Sequence, residues 1–377
     1  MRFKFCAFPF GKSKSTATFP YRGKRGGGAT EDRISNRPGL DHLAYDFGLR
    51  GLPHVRDSAR IWGCLQGVNS LGPCQGARKG HGAEWRLPPR TLRLHIRGDL
   101  ITQQGKRPKM QAIGLCRFSY PALGGFQVAH ENIQDRIAYL YEDRRLEERF
   151  QLLETVALPC LRAQTDPDFS LIIVIGDQFP KHHEKRLEAL IENLPQALIH
   201  KEPPRNQREV MKEILNAARI NPAEPCLQFR YDDDDAISVD FIEKLRKATS
   251  DCASLIGKNR TVAFDWNRGF VAEFGADGIA AVDMFRQFYV ASLGMYIKGN
   301  CAQTIMNFAH EKIPRYMPTV SFSDDAMWVR SHNGFNDSRQ KKVKPIPVQP
   351  LAPKLEKLFM DRFAIDVAQV RRVFSDG

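Results

Sequence analysis

The chemistry-bearing residues of this chain concentrate in Tyr231-Asp232-Asp233-Asp234-Asp235-Ala236, four consecutive carboxylates. Four adjacent negative charges repel one another, and a loop does not hold them together without compensation. Clustered aspartate oxygens are hard ligands suited to Mg²⁺ or Mn²⁺, and a divalent ion would relieve the repulsion. Helix capping competes with this reading, since aspartate is favoured near a helix start. Capping accounts for one or two of the acids, not four, so metal binding leads.

The flanking sequence says what positions them. Cys226-Leu-Gln-Phe-Arg-Tyr231 has a strand's alternation, and Val239, Phe241, Ile242 and Leu245 give Ser238 to Lys247 a helix's periodicity. The acids thus stand where a strand ends and a helix begins, the usual ligand position in an open α/β sheet. Upstream, 111–116 and 169–175 read as strands, 142–164 as a long amphipathic helix, 185–193 as a second helix and 197–200 as a third strand. A helix over 206–220 completes a β-α-β-α-β-α-β order, which specifies a mostly parallel sheet with helices on its faces. Beyond the acids the order is mixed, with strands over 261–266, 269–274 and 290–297 and a helix over 302–310. Lys341 to Pro350 is a Pro-rich linker, and 355–374 is a terminal helical segment.

The chain has 377 residues and a net charge of +13, but the excess is local. Residues 1–109 hold 21 Lys and Arg against 7 Asp and Glu, while the remainder holds 35 against 36. This leader is rich in Gly and Arg and lacks apolar periodicity, so it cannot bury enough surface to offset its ordering entropy. A nucleic-acid arm, a targeting leader and translated upstream sequence ahead of a start at Met110 compete for it; the last is favoured, with disorder and no function expected. Eight scattered cysteines without a C-x-x-C pair fit a reducing, cytosolic setting. No apolar run approaches the roughly 20 residues that span a bilayer, which leaves membrane contact peripheral at most.

The Asp-x-Asp at a strand end, with Tyr231 to Ile242 around it, resembles the metal motif of GT-A glycosyltransferases, whose fold is a Rossmann-like nucleotide-diphospho-sugar transferase fold. More closely, residues 110–340 are similar to the bacterial rhamnosyltransferase family of polysaccharide pathways. Gly114-Leu-Cys-Arg-Phe-Ser-Tyr120, Arg145-Leu-Glu-Glu-Arg-Phe150, Gln164-Thr-Asp-Pro-Asp-Phe169, the acidic run and His332-Asn-Gly-Phe-Asn-Asp-Ser338 carry the likeness. It implies transfer of a sugar from a nucleoside diphosphate donor to a glycan or polysaccharide acceptor. It implies Asp232 as a ribose or metal contact, Asp234 as a metal ligand and Asp235 in support. A diphosphate leaving group needs positive charge, which a divalent ion supplies and Arg117 or Arg208 can assist. For each arginine a solvated surface position is an equal reading. Asp177 would contact base or ribose, with a plain turn aspartate as its equal.

For an inverting reaction Asp324 or Asp325 is the expected base, against the alternative that they cap the Ala326 segment. His332, in a Gly/Asn-rich loop, is a further metal candidate. His310 reads as a helix C-terminal residue, and His182 and His183 as surface. Trp266, Tyr296 and Trp328 are core residues by default, with the acceptor cleft as the alternative. Two rivals remain open: a nucleotidyltransferase or phosphohydrolase using the same Asp-metal site, and a nucleic-acid-binding protein acting through the basic arm.

Overall fold

The computed structural model describes residues 109–124, 130–332 and 346–375. Residues 1–108, with the expectations attached to them, lie outside that set, as do the loop after His332 and the first half of the Lys341–Pro350 linker. The alternation read from the sequence takes shape as β1 (Gln111–Arg117), α1 (Ile133–Leu140), α2 (Asp143–Leu152), a π-helical turn (Leu153–Ala157) and α3 (Leu158–Arg162). β2 (Ser170–Gly176), α4 (Lys181–Ile191), β3 (Ala197–Glu202), α5 (Gln207–Ala217) and β4 (Cys226–Asp232) follow. Next come β5 (Ala236–Ile237), α6 (Phe241–Asp251), α7 (Ala253–Lys258), β6 (Thr261–Trp266), β7 (Arg268–Gly275), β8 (Gly278–Phe285) and β9 (Leu293–Ile297). β10 (Thr319–Phe322), β11 (Trp328–Ser331), β12 (Gln349–Pro350), α8 (Pro353–Phe363) and α9 (Val367–Ser375) end the chain.

The main sheet runs β10-β6-β9-β4-β1-β2-β3. Within it β1, β2, β3 and β4 are parallel to their neighbours, as are β6 and β10, and only β9 runs against β4 and β6. Side chains alternate across this sheet and divide its core in two. Ala112 and Cys116 of β1 and Leu227, Phe229 and Tyr231 of β4 face the α2–α3 helix, α6 and the terminal helices. Ile113, Leu115 and Cys226 face α5 and the segments that follow β9. Gly114 is required where β1 meets Phe229, because a Cβ there would come within 2.5 Å of the ring.

Three features depart from the sequence reading. A second sheet, β12-β8-β7-β11-β5, stands beside the first, and the chain passes from one to the other at Asn267, so β6 and β7 do not pair. The helix expected over 302–310 is instead two 3₁₀ segments, Ile305–Asn307 and His310–Arg315. Asn307 folds back onto the Thr304 N–H at 2.9 Å and closes the first after one turn. Finally, β5 lies between the acids and α6, so that helix begins at Phe241 rather than Ser238. The terminal helices pack into the core through Phe359 and Phe363, whose rings meet Phe270.

Candidate functional site

The four aspartates part company at the end of β4. Asp232, the last strand residue, lies beside Arg117 of β1 in the parallel register and on the same sheet face as Ile113, Leu115 and Arg230. Asp233 and Asp234 form the turn and are buried toward α2. There Arg149, only 4% exposed, meets both. Its Nε donates to Asp233 Oδ2 at 3.0 Å, Nη1 to Asp234 Oδ2 at 2.8 Å, and Nη2 to Asp233 Oδ1. Asp235, 1% exposed, accepts the Ser331 N–H at 3.2 Å and lies 3.7 Å from Arg330 of β11. Burial pushes the Asp235 carboxyl well above the ordinary carboxylate range against the pull of Arg330, and Asp234 and Asp232 add to it. Arginine therefore supplies compensation that the sequence reading assigned to a divalent ion. Asp232 is the exception, for its half-buried carboxylate accepts no hydrogen bond among the described residues. None of the four caps a helix; Asp240 occupies that position on α6.

Four arginines gather at this end of β4. Arg117 ends β1, Arg230 precedes Asp232 by two residues on the same face, and Arg330 comes from β11. Arg208 stands in the first turn of α5, whose start is fixed by Asn206 accepting from the Arg208 and Glu209 amides at 3.2 and 3.4 Å. Burial lowers the pKa of the Arg230 guanidinium; Asp232 opposes this, and Arg117, Arg208 and Arg330 add to it. Burial also works against the Arg330 charge, but Asp235, Asp232 and Asp234 outweigh it and push that pKa up. So much positive charge beside a carboxylate that accepts no hydrogen bond among the described residues is an arrangement chemically able to hold an anion such as a diphosphate.

His310 joins this group from a 3₁₀ segment that it begins rather than ends, which corrects the helix C-terminal reading. Its Nδ1 lies 2.6 Å from the Phe288 carbonyl. A carbonyl only accepts, so Nδ1 carries a proton, and in the neutral ring Nε2 keeps its lone pair. Burial lowers its pKa, helped by Arg230 and opposed by the Phe288 carbonyl, Glu311 and Asp232.

Other expected residues make contacts of their own. His332 donates its amide to Ala272, and its Nδ1 is 3.5 Å from Glu273. Asp325 accepts from Lys244 at 2.6 Å and is 3.9 Å from Arg362; the Lys244 bond holds its carboxyl below the usual range. Asp324 is exposed, and a strand follows the pair, so there is no helix for them to cap. Asp177 is exposed just past β2, its amide bonded to the Glu202 carbonyl. Trp266, Tyr296 and Trp328 are buried core residues. His183 is buried rather than on the surface, stacked on Phe150 and 3.3 Å from Asp143. With His182 and Asp143 it makes a three-ligand grouping that stands at the starts of α2 and α4.

Arg149, Arg230, Arg330 and His310 were missed as site residues by sequence reasoning. Arg149 did leave a signal, since it interrupts the apolar stripe of Leu146, Phe150 and Leu153, and a cation on a buried face needs a buried counter-charge. Arg230 alternates with Phe229 and Tyr231, which places it on the face of Asp232. His310 carried no local signal.

A mostly parallel sheet ordered β3-β2-β1-β4, extended by an antiparallel strand and carrying an aspartate at the C-terminal end of β4, is the arrangement of the GT-A, nucleotide-diphospho-sugar transferase fold. Residues 111–345 match the family model described as "Putative rhamnosyl transferase", and the chain belongs to that family. No curated protein matches the chain. Among solved structures it is similar to S. aureus TarS 1-349 in complex with UDP, at 12% identity and a TM-score of 0.32, over 60% of this chain and 61% of that one. TarS 1-349 in complex with UDP-GlcNAc matches at 11% identity and 0.31, over 60% of each chain. A Bacillus anthracis glucose-1-phosphate thymidylyltransferase in complex with a sucrose matches at 11% and 0.32, over 58% of this chain and 88% of that one. The chain thus spans about three fifths of the TarS 1-349 structures.

Proposed function

We propose that this glycosyltransferase takes its sugar, rhamnose by the description of its family, from a nucleoside diphosphate donor and passes it to a glycan or polysaccharide acceptor. The observation that carries the reading is the gathering of Asp232, Arg117, Arg208 and Arg330 around Arg230 at the C-terminal ends of β1 and β4. Departure of a nucleoside diphosphate leaves charge on the phosphates, and preorganised guanidinium groups lower the cost of developing it. Asp177, at the neighbouring end of β2, is assigned to the base or ribose.

A Mg²⁺ or Mn²⁺ ion fits the site in a restricted way. Asp232 accepts no hydrogen bond among the described residues and the Nε2 of neutral His310 keeps its lone pair, whereas Asp234 and Asp235 already share their charge with Arg149 and Arg330. Magnesium is commonly held by one or two carboxylates together with substrate phosphates, and Asp232 with His310 beside it suits that mode. Such an ion would supply further positive charge at the diphosphate. His332, engaged with Glu273, is assigned no part in holding it.

For the acceptor, an inverting transfer requires a carboxylate to take the hydroxyl proton. Asp325 is neutralised by Lys244, so Asp324 is the member of that pair assigned the task. No helix among the described residues is long and apolar enough to cross a membrane.

Calorimetry of the full chain with UDP-, dTDP- and GDP-sugars, each with and without Mn²⁺, tests the reading. One donor series should bind, and Arg230→Gln should weaken it. Failure of every diphospho-sugar to bind would remove the donor assignment. Binding of free nucleoside triphosphates and sugar phosphates in their place would favour the nucleotidyltransferase alternative.

A further inference from the structure

The turn after β8 holds a conformation that its residues resist. Phe288 has a φ of +58°, in the left-handed region that an aromatic side chain rarely adopts. Two hydrogen bonds hold it there, one on each side of the residue. Its N–H donates to Asp265 Oδ1 at 2.8 Å, and its carbonyl accepts from His310 Nδ1 at 2.6 Å. Asp265 is wholly buried on β6, and its Oδ2 accepts from Ser321 at 3.2 Å.

The next residue, Tyr289, faces the acidic run. Its ring stands edge-on to Trp328 at 4.6 Å and lies under the Arg330 guanidinium at 5.3 Å. Arg330 in turn is 3.7 Å from Asp235. One buried carboxylate therefore fixes a turn that touches the site twice, through Tyr289 on Arg330 and through Phe288 on His310.

We propose that Asp265 is a positioning residue: by pinning Phe288 it sets Tyr289 behind Arg330 and orients the His310 ring beside Asp232. The consequence for donor binding rests on the function proposed above. A purely structural role accounts poorly for the choice of residue. Asp265 makes no ion pair among the described residues and receives two neutral hydrogen bonds, an expensive setting for a carboxylate. Burial pushes its pKa up to about 6, the mark of that expense. Strained backbone and a costly buried acid together, at the edge of a ligand site, are the pattern expected where geometry is held for function.

The test compares the full-length protein with Asp265→Ala and Asp265→Asn, the second of which keeps an acceptor for the Phe288 N–H. Three measurements are made: denaturant unfolding, the rate of tryptic cleavage after Arg286 under native conditions, and affinity for UDP and dTDP as probes. Asp265→Ala should unfold as cooperatively as wild type and be no less stable. It should be cleaved several times faster and bind the probe nucleotide on the order of tenfold more weakly. Asp265→Asn should restore both. Wild-type cleavage and binding in Asp265→Ala would overturn the proposal. So would a global loss of stability that Asp265→Asn does not repair, because that marks a structural residue. If wild type binds neither nucleotide, the cleavage rates alone decide whether Asp265 holds the turn, and the donor reading then stands or falls with the GDP-sugars.

Discussion

Replacing Arg149 with methionine separates the two ways in which the acidic run can be held together. Arg149 is 4% exposed and makes three hydrogen bonds to two carboxylates that are themselves 4% and 7% exposed. Methionine keeps much of the stem's packing but leaves Asp233 and Asp234 without their shared cation. Breaking a buried ion pair from one side costs about 3–5 kcal/mol, and with two carboxylates affected the upper end is expected. Set against a total stability of about 5–15 kcal/mol, that is a third or more of what holds the fold. At an m-value of about 2–3 kcal/mol per molar, the urea midpoint should fall by roughly 1–2 M. Urea unfolding followed by circular dichroism measures it, once in EDTA and once in Mn²⁺. The wild-type midpoint should be insensitive to the chelator. If instead EDTA destabilises wild type by a comparable amount, and Arg149→Met in Mn²⁺ unfolds like wild type, a metal ion and not Arg149 neutralises the run.

The remaining expectations concern single groups. Asp265 has a folded pKa of about 6 against an ordinary 3.8, so its contribution is fully present below pH 4 and is lost as pH rises through 6. Asp265→Asn should therefore gain on wild type across that window by up to about 3 kcal/mol, read from paired melts at pH 4 and 7.5; a constant difference would contradict it. Arg230→Gln should weaken nucleotide-sugar binding about tenfold or more and reduce its salt dependence, with an unchanged affinity counting against the arginine site. Asp232→Asn should lower the melting temperature, because Arg230 and Arg330 lose a nearby counter-charge, and abolish any enhancement of donor binding by Mn²⁺; a surviving metal effect would move the ion elsewhere. Gly269→Ala should destabilise by about 1–3 kcal/mol, because its Cβ would lie 2.3 Å from the Trp328 carbonyl oxygen on the paired strand. A neutral result there would mean that β7 and β11 can part without cost.

Much of the architecture was legible in the linear chain. The continuous apolar run over 169–175 and the amphipathic stretch over 142–164 identify β2 and the α2–α3 helix, because burial on two faces or on one stripe leaves a periodic trace in neighbouring residues. Asp232 at the end of β4 was legible for the same reason, since its setting is made by the residues next to it. The second sheet was not: β8 mixes Gly278, Asp283 and alternating small residues, and it becomes a strand through its pairing with β7 and β12. Nor was the fate of the other acids. Asp233 finds its cation 84 positions earlier and Asp235 its amide donor 96 positions later. The Phe288 turn depends on Asp265 and His310, each 22 or 23 residues away on different elements. Composition and period determined that an acidic strand end would close an α/β sheet. Which charges neutralise it, and which are left for a ligand, only tertiary packing could decide, because Coulomb energy depends on distance in space and not along the chain.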